Sequence, residues 1–376
     1  MAGLYLHIPF CRRKCCYCDF FSVTATDALL EAYPELLIQH LDWAAEQGWA
    51  GPFDTVYFGG GTPSLLAPDA IAKILHKANQ TFGLADHAEI TLEANPGTVS
   101  EQSLAGFRSA GINRLSFGLQ SCNDKQLTDL GRLHNRQEGI DAVRWARKAG
   151  FDNLSLDLMF ALPGQNTAAL EEDLRDYLEL APEHLSCYGL TAEPQTPLQN
   201  SIVRGELSLP DEEFYADAFM LIHERLAGAG YEHYEIANYA RDGYASRHNL
   251  GYWQRRACLG IGAGAHSFQS GQWGSRWEVP ADLAAYRQAL HDRQEPMDCL
   301  ESFDRESALS ETIYLALRTK HGISDTELQQ HFDCTLQEAF PEAVATSNQW
   351  LVNSSGHWSM TPSAWLLFDR LILPFL

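Results

Sequence analysis

The first two thirds of the chain alternate between short apolar runs and longer stretches whose apolar residues recur at helical spacing. The short runs, at residues 3–8, 55–58, 88–93, 114–118, 153–158 and 184–190, predict six strands. Between them, residues 27–47, 68–79, 100–110, the stretch up to about 148, and 168–180 predict helices. Strands separated by helices pair in parallel through crossovers. Six such units predict an α/β fold, a partial (β/α)6 barrel shorter than the closed eightfold form.

After Pro210 the rhythm changes. Residues 211–229 predict one long amphipathic helix and 234–236 an edge strand, with a Gly-, Trp- and Arg-rich loop to about residue 275. From Glu301 a separate helical module begins, in which Ser324-Asp325-Thr326-Glu327 is a capping box. Residues 351–361, with the turn Asn353-Ser354-Ser355-Gly356, predict a hairpin, and Pro362 opens a last helix. Helices with a small hairpin predict a winged-helix-like end domain. The expected division is a barrel over 1–235, a connecting region over 236–300 and a C-terminal domain over 301–376.

Composition narrows the classes. A chain of 376 residues that is 45% hydrophobic has ample core for a large barrel plus an appendage. A net charge of -22 argues against a surface that tracks phosphates, so nucleic acid is not an expected partner. Nine cysteines, four of them within the first twenty residues, do not form a disulfide framework and imply a reducing compartment. The segment from Met1 to Pro9 has no basic leader, and no window approaches the ~20 apolar residues of a membrane helix. The expectation is a cytoplasmic protein without an integral membrane segment.

The candidate chemistry starts just behind the first strand. In Cys11-Arg12-Arg13-Lys14-Cys15-Cys16-Tyr17-Cys18, three thiols stand in C-x3-C-x2-C spacing on one tight loop. A cubane iron–sulfur cluster takes four cysteines, so three leave one iron open to another ligand. The competing reading is a zinc knuckle that recruits Cys16, although no second ligand pair appears elsewhere in the chain. Ligands of parallel α/β folds bind at the carboxyl ends of the strands, and polar residues collect there. Tyr5 lies on the first strand, Gly59-Gly60-Gly61-Thr62 ends the second, and Glu93 ends the third. Gln120 ends the fourth, followed by Arg132 and His134, and Asp157 lies in the fifth. Glycines let backbone amides approach a ligand, and a carboxylate accepts hydrogen bonds from hydroxyls or an ammonium.

This set resembles the radical S-adenosylmethionine (SAM) family, in the group of oxygen-independent coproporphyrinogen III oxidases and their relatives, the HemW heme chaperones. The motifs that carry the resemblance are His7-Ile8-Pro9-Phe10-Cys11, the loop from Gly59 to Ser64, Glu93 with Asn95-Pro96, Ser116 to Ser121, Gly131-Arg132-Leu133-His134 and Leu162-Pro163-Gly164. The resemblance implies a [4Fe–4S] cluster on Cys11, Cys15 and Cys18, with Tyr5, Gly60 and Glu93 lining the SAM that chelates it. It also matches Tyr17, Gly61, Thr62, Gln120, Arg132 and Asp157 to positions that contact a second SAM in the oxidase.

Two departures point to the chaperone branch. Phe20 stands where the oxidase has a further cysteine, and the chain starts ten residues before Cys11, without the oxidase's N-terminal extension. A third feature agrees: His248-Asn249-Leu250-Gly251-Tyr252-Trp253 matches the H-N-x-x-Y-W motif associated with heme in that branch. An imidazole can ligate heme iron, and Tyr252 and Trp253 offer flat apolar faces. The implied function is a heme chaperone that passes heme to an acceptor protein. The alternative is radical oxidative decarboxylation of coproporphyrinogen III.

Overall fold

The computed structural model describes residues 2–347 and 349–376. Twelve strands form one mixed sheet: β1 (Ala2–Ile8), β2 (Phe53–Gly60), β3 (Leu84–Ala94), β4 (Arg114–Gln120), β5 (Leu154–Phe160), β6 (His184–Gly189), β7 (Glu232–Glu235), β8 (Asn238–Ala240), β9 (Cys258–Ile261), β10 (His266–Gln269), β11 (Ser275–Glu278) and β12 (Asp298–Ser302). Their spatial order is β12-β11-β10-β9-β1-β2-β3-β4-β5-β6-β8-β7, so the sheet stays open, with β12 and β7 as its edges.

The six expected strands are all present and pair in parallel. The region expected as loop up to residue 275 is different. It holds the helix Arg247–Trp253, and β9 enters beside β1 in parallel, with Gly260 opposite Tyr5. β10, β11 and β12 then extend the sheet as an antiparallel meander. On the other side, the single edge strand expected at 234–236 is a pair: β8 lies antiparallel to β6, and β7 lies antiparallel to β8 at the sheet's edge.

Along the central strands, alternate side chains face opposite ways. Leu4, Leu6, Ile8, Val56, Phe58, Leu92, Leu115, Phe117, Leu154, Leu156 and Leu185 form the outer face, buried in one core with the crossover helices. Helix Asp27–Glu46 contributes Leu37 and Leu41, and Pro68–Phe82 contributes Ile71 and Ile74. The intervening positions point into the concave side and are polar. They include Tyr5 and His7 on β1, Thr55 and Tyr57 on β2, Glu89 and Glu93 on β3, Arg114 and Ser116 on β4, Ser155 and Asp157 on β5, and His184 and Ser186 on β6. Parallel strands buried on both faces are ordinarily apolar on both. Here the inner face is polar for two reasons: its carboxyl-end positions line a cavity, and its amino-end positions bond to one another and to a helix.

The C-terminal region builds its own three-stranded sheet from Ile323–Ser324, His357–Met360 and Leu351–Asn353, flanked by helices Arg305–Ala316 and Asp325–Phe332. The capping box closes as expected, with Ser324 and Glu327 bonding each other's backbone amides. Pro362 opens the helix Pro362–Trp365. No helix among the described residues is long and apolar enough to cross a membrane.

Candidate functional site

The cysteine loop leaves β1 and is pinned at both ends. Phe10–Cys11 pairs with Val23–Thr24, so the residues between them fold over the carboxyl end of the barrel. Beneath the loop lies a cavity of about 360 Å³ that brings together eleven of the thirteen expected site residues. Cys11, Cys15 and Cys18 line it from the loop, and Tyr17 joins them. Gly60, Gly61, Thr62, Glu93, Gln120, Arg132 and Asp157 line it from the strand ends. Tyr5 and His248 are not part of this lining.

The fourth thiol of the run is turned away: Cys16 Sγ donates to the carbonyl of Asp129 at 3.4 Å. Among the described residues no three His, Cys, Asp or Glu side chains gather tightly enough for one metal ion. A mononuclear zinc site needs its sulfurs converged at about 2.3 Å from one centre. A cube instead gives each sulfur its own iron and suits thiols spread around a cavity. Two donors already aim at the sulfurs. Arg132 Nη1 lies 3.5 Å from Cys15 Sγ, and Thr62 Oγ1 lies 3.6 Å from Cys11 Sγ. A guanidinium beside a thiol favours the thiolate, the form that ligates iron. Arg132 is itself fixed by donating to Gly118 O at 2.6 Å, and Arg13 donates to the carbonyls of Gly131 and Arg132.

The glycines have a second reason to be glycines. Gly60 has φ +111°, and a Cβ there would sit 2.7 Å from the His7 ring; one on Gly61 would sit 2.7 Å from the Phe10 carbonyl oxygen. The β2 turn is therefore pressed against β1 and the start of the cysteine loop, as well as facing the cavity. Gln120 leaves β4 with φ 71°, a left-handed conformation uncommon outside glycine and often found at functional sites.

Two buried carboxylates set the electrostatics of the floor. Burial pushes Glu93 up to about 7; the Tyr57 hydroxyl, donating at 2.8 Å, pulls it down, and the charge of Asp157 pushes it further up. Asp157 is pushed up to about 6 by burial, against the hydrogen bond from Ser186 and the charges of Arg114 and Arg132. Carboxylates held near neutrality ionise readily when a cation enters, which suits a ligand with an ammonium group. Arg114, 2% exposed on β4, is a buried positive charge that opposes both shifts, and its Nε has no hydrogen-bond partner among the described residues. Ser116 lies in the Ser116 to Ser121 motif; Arg114, Met159 and Tyr188 were not singled out from the sequence. Their signal was the polar alternation along β4 to β6.

Tyr5 lies under the floor. Its hydroxyl meets His7 Nδ1 at 2.9 Å, and its ring stands 6.2 Å from that of Tyr57 and 6.4 Å from that of His248. His248 sits deeper, at the opposite end of the barrel. Helix Arg247–Trp253 packs there against Gly3, Thr55 and Glu89, the first inward positions of β1 to β3. His248 is 3% exposed, with Nδ1 2.8 Å from Thr55 Oγ1 and Nε2 3.0 Å from the Tyr252 hydroxyl. Either nitrogen would have to give up its partner before reaching an iron. The neighbouring arginines are also engaged: Arg256 grips both oxygens of Asp54 at 2.7 and 2.6 Å, and Arg255 pairs with Glu311. Of the motif's side chains, Tyr252 keeps an exposed face.

Comparison with known proteins agrees with this geometry. A family model described as the radical SAM superfamily matches residues 5–177, and one described as the HemN C-terminal domain matches 303–367. The heme chaperone HemW of Lactococcus lactis is 33% identical over 99% of this chain and 96% of its own length. HemW of Escherichia coli is 41% identical over 70% of this chain and 69% of its own. The solved structure of the E. coli radical SAM enzyme coproporphyrinogen III oxidase (HemN) superposes with a TM-score of 0.85, covering 100% of this chain and 89% of that one at 21% identity, a likeness of fold. With its three-cysteine loop over an open α/β barrel and its full-length similarity to proteins of that name, the chain belongs to the radical SAM superfamily and, within it, to the HemW group.

Proposed function

We propose that this protein is a heme chaperone whose barrel holds a [4Fe–4S] cluster on Cys11, Cys15 and Cys18 and a SAM molecule beside it. The observation that carries the reading is the convergence of three thiols, two buried carboxylates and Arg132 on one cavity, while Cys16 points elsewhere. Bound there, the cluster supplies an open iron for the amino and carboxylate groups of SAM and an electron for its sulfonium. The chain's own residues do the rest. Arg132 and Thr62 donate to the sulfurs of Cys15 and Cys11 that would hold the cluster, Glu93 would accept from the ammonium or ribose, and Tyr17, Gln120 and Asp157 shape the wall.

The carriage of heme to an acceptor protein rests on the similarity to HemW along the whole chain. The test is an anaerobically reconstituted preparation given heme and, separately, coproporphyrinogen III with SAM and a reductant. Stoichiometric heme binding followed by transfer to an apo-hemoprotein, with no porphyrinogen consumed, is the expected outcome. Decarboxylation of coproporphyrinogen III would replace this reading with the oxidase.

A further inference from the structure

The H-N-x-x-Y-W helix and the cysteine-lined cavity sit at opposite mouths of the barrel, yet one row of side chains joins them. Tyr57 donates to Glu93 Oε1 at 2.8 Å on the cavity floor. The Tyr57 ring stacks on that of His248, centroid to centroid 5.0 Å and 24° from parallel. Tyr5 backs both rings, at 6.2 and 6.4 Å. His248 in turn meets the Tyr252 hydroxyl at 3.0 Å, which also accepts from Cys258 Sγ at 3.7 Å.

Each end of the row is fixed. The backbone amides of Arg247 and His248 both donate to the Glu89 carboxylate at 3.1 Å, and Thr55 holds His248 Nδ1. A Cβ on Gly3 would lie 3.1 Å from Thr55 Oγ1 and 3.2 Å from the imidazole, so β1 leaves room for this ring and little else. A histidine so enclosed is badly placed to bind a ligand of its own. It is well placed to set the height and tilt of the aromatic ring above it.

We propose that His248 is a positioning residue for the SAM cavity: its imidazole holds the Tyr57 ring so that the Tyr57 hydroxyl points at Glu93. The inference rests on the SAM reading given above. It gives the motif a role beneath the cluster site in place of iron ligation. The same row offers a route by which contact at the exposed face of Tyr252 reaches Glu93.

The groups facing Glu93 are Tyr57 on β2, Arg114 on β4, Asp157 on β5, Tyr5 on β1, Tyr188 on β6 and Tyr252 on the helix Arg247–Trp253. Losing the Tyr57 hydrogen bond removes a contact that favours the carboxylate. Full-length protein without cluster, labelled with ¹³C-glutamate, gives the Glu93 titration by infrared difference against Glu93→Gln. Tyr57→Phe should move its midpoint upward, and His248→Ala should move it the same way by a smaller step. The double variant should go no further than Tyr57→Phe alone. His248→Phe keeps a ring against Tyr57 and should restore the midpoint even as it melts lower, because Thr55 and Tyr252 lose their partner.

Reconstituted His248→Ala should bind SAM about tenfold more weakly at pH 7, with the deficit shrinking by pH 9. A His248→Ala protein whose Glu93 midpoint is that of the wild type, whatever its melting temperature, overturns the proposal. Absence of SAM binding by the reconstituted wild type would instead remove the function proposed above, and the infrared series would still decide the positioning role.

Discussion

The two mouths of the barrel are built from the same inward-facing positions and finished in opposite ways. At the amino end, Asp54, Glu89 and His248 are paired off. Asp54 is gripped by Arg256, Glu89 accepts two helix amides, and His248 has a partner on each nitrogen. At the carboxyl end, polar groups are left reactive. Three thiols line an open cavity, two carboxylates titrate near neutrality, and Arg132 Nε has no hydrogen-bond partner among the described residues. Satisfied polar groups in a closed end rigidify a fold, whereas unsatisfied ones in a cavity are a cost that a ligand can relieve. The contrast assigns structure to one end and chemistry to the other.

The largest effects expected of that contrast are at the cavity. Cys11→Ala, Cys15→Ala and Cys18→Ala should each abolish bound iron and sulfide, while Cys16→Ala retains both, as read by iron and acid-labile sulfide per chain. Breaking the closed end should instead cost stability. Arg256→Ala leaves a nearly buried Asp54 with only its longer ion pair to Arg247 at 3.5 Å, so denaturant unfolding should show a loss of about 2 kcal/mol. Arg132→Ala at the open end should cost less than about 1 kcal/mol while impairing cluster retention. If the two losses came out equal, the division between the ends would fail.

The two ends should also titrate with opposite sign. Glu93, raised to about 7 when folded, binds its proton more tightly than in the unfolded chain. Its contribution to stability is full below the ordinary carboxylate range and is lost as pH rises through about 7. His248 is lowered to about 3, chiefly by burial, with the charges of Arg114 and Arg256 adding. Its contribution is full above about 6.5 and is lost as pH falls toward 3. Glu93→Gln should therefore remove the fall in stability as pH rises through about 5 to 7, and His248→Asn the fall as pH drops from about 6.5 toward 3. The smallest expected effect is on binding: SAM affinity of the wild type should rise several-fold from pH 6 to 8, as Glu93 becomes a carboxylate, and stay level in Glu93→Gln.

Much of the open end was legible in the sequence because its chemistry is local. Three cysteines within eight residues and single polar residues at strand ends need only the rule that parallel strands present their carboxyl ends to ligands. The closed end was not legible in the same way. β9 is four residues long and pairs with a strand about 250 residues earlier, so no local period marks it. Without β9, residues 236 onward read as a loop, and the motif at His248 appeared to stand free. The alternation on β4 to β6 was present in the sequence, but an apolar run with polar interruptions reads first as a buried strand. The polar face became meaningful only once the barrel put Ser116, Asp157 and Tyr188 around one space.

The claim on which everything else depends is that the three-thiol cavity holds an iron–sulfur cube with an iron left for SAM. The most direct measurement is the low-temperature electron paramagnetic resonance spectrum of reduced, anaerobically reconstituted protein, taken with and without SAM alongside iron and sulfide analysis. About four irons and four sulfides per chain, with a signal that shifts on adding SAM and is lost in Cys15→Ala, is the predicted result. Bound zinc without acid-labile sulfide, or a cluster signal indifferent to SAM, would contradict it.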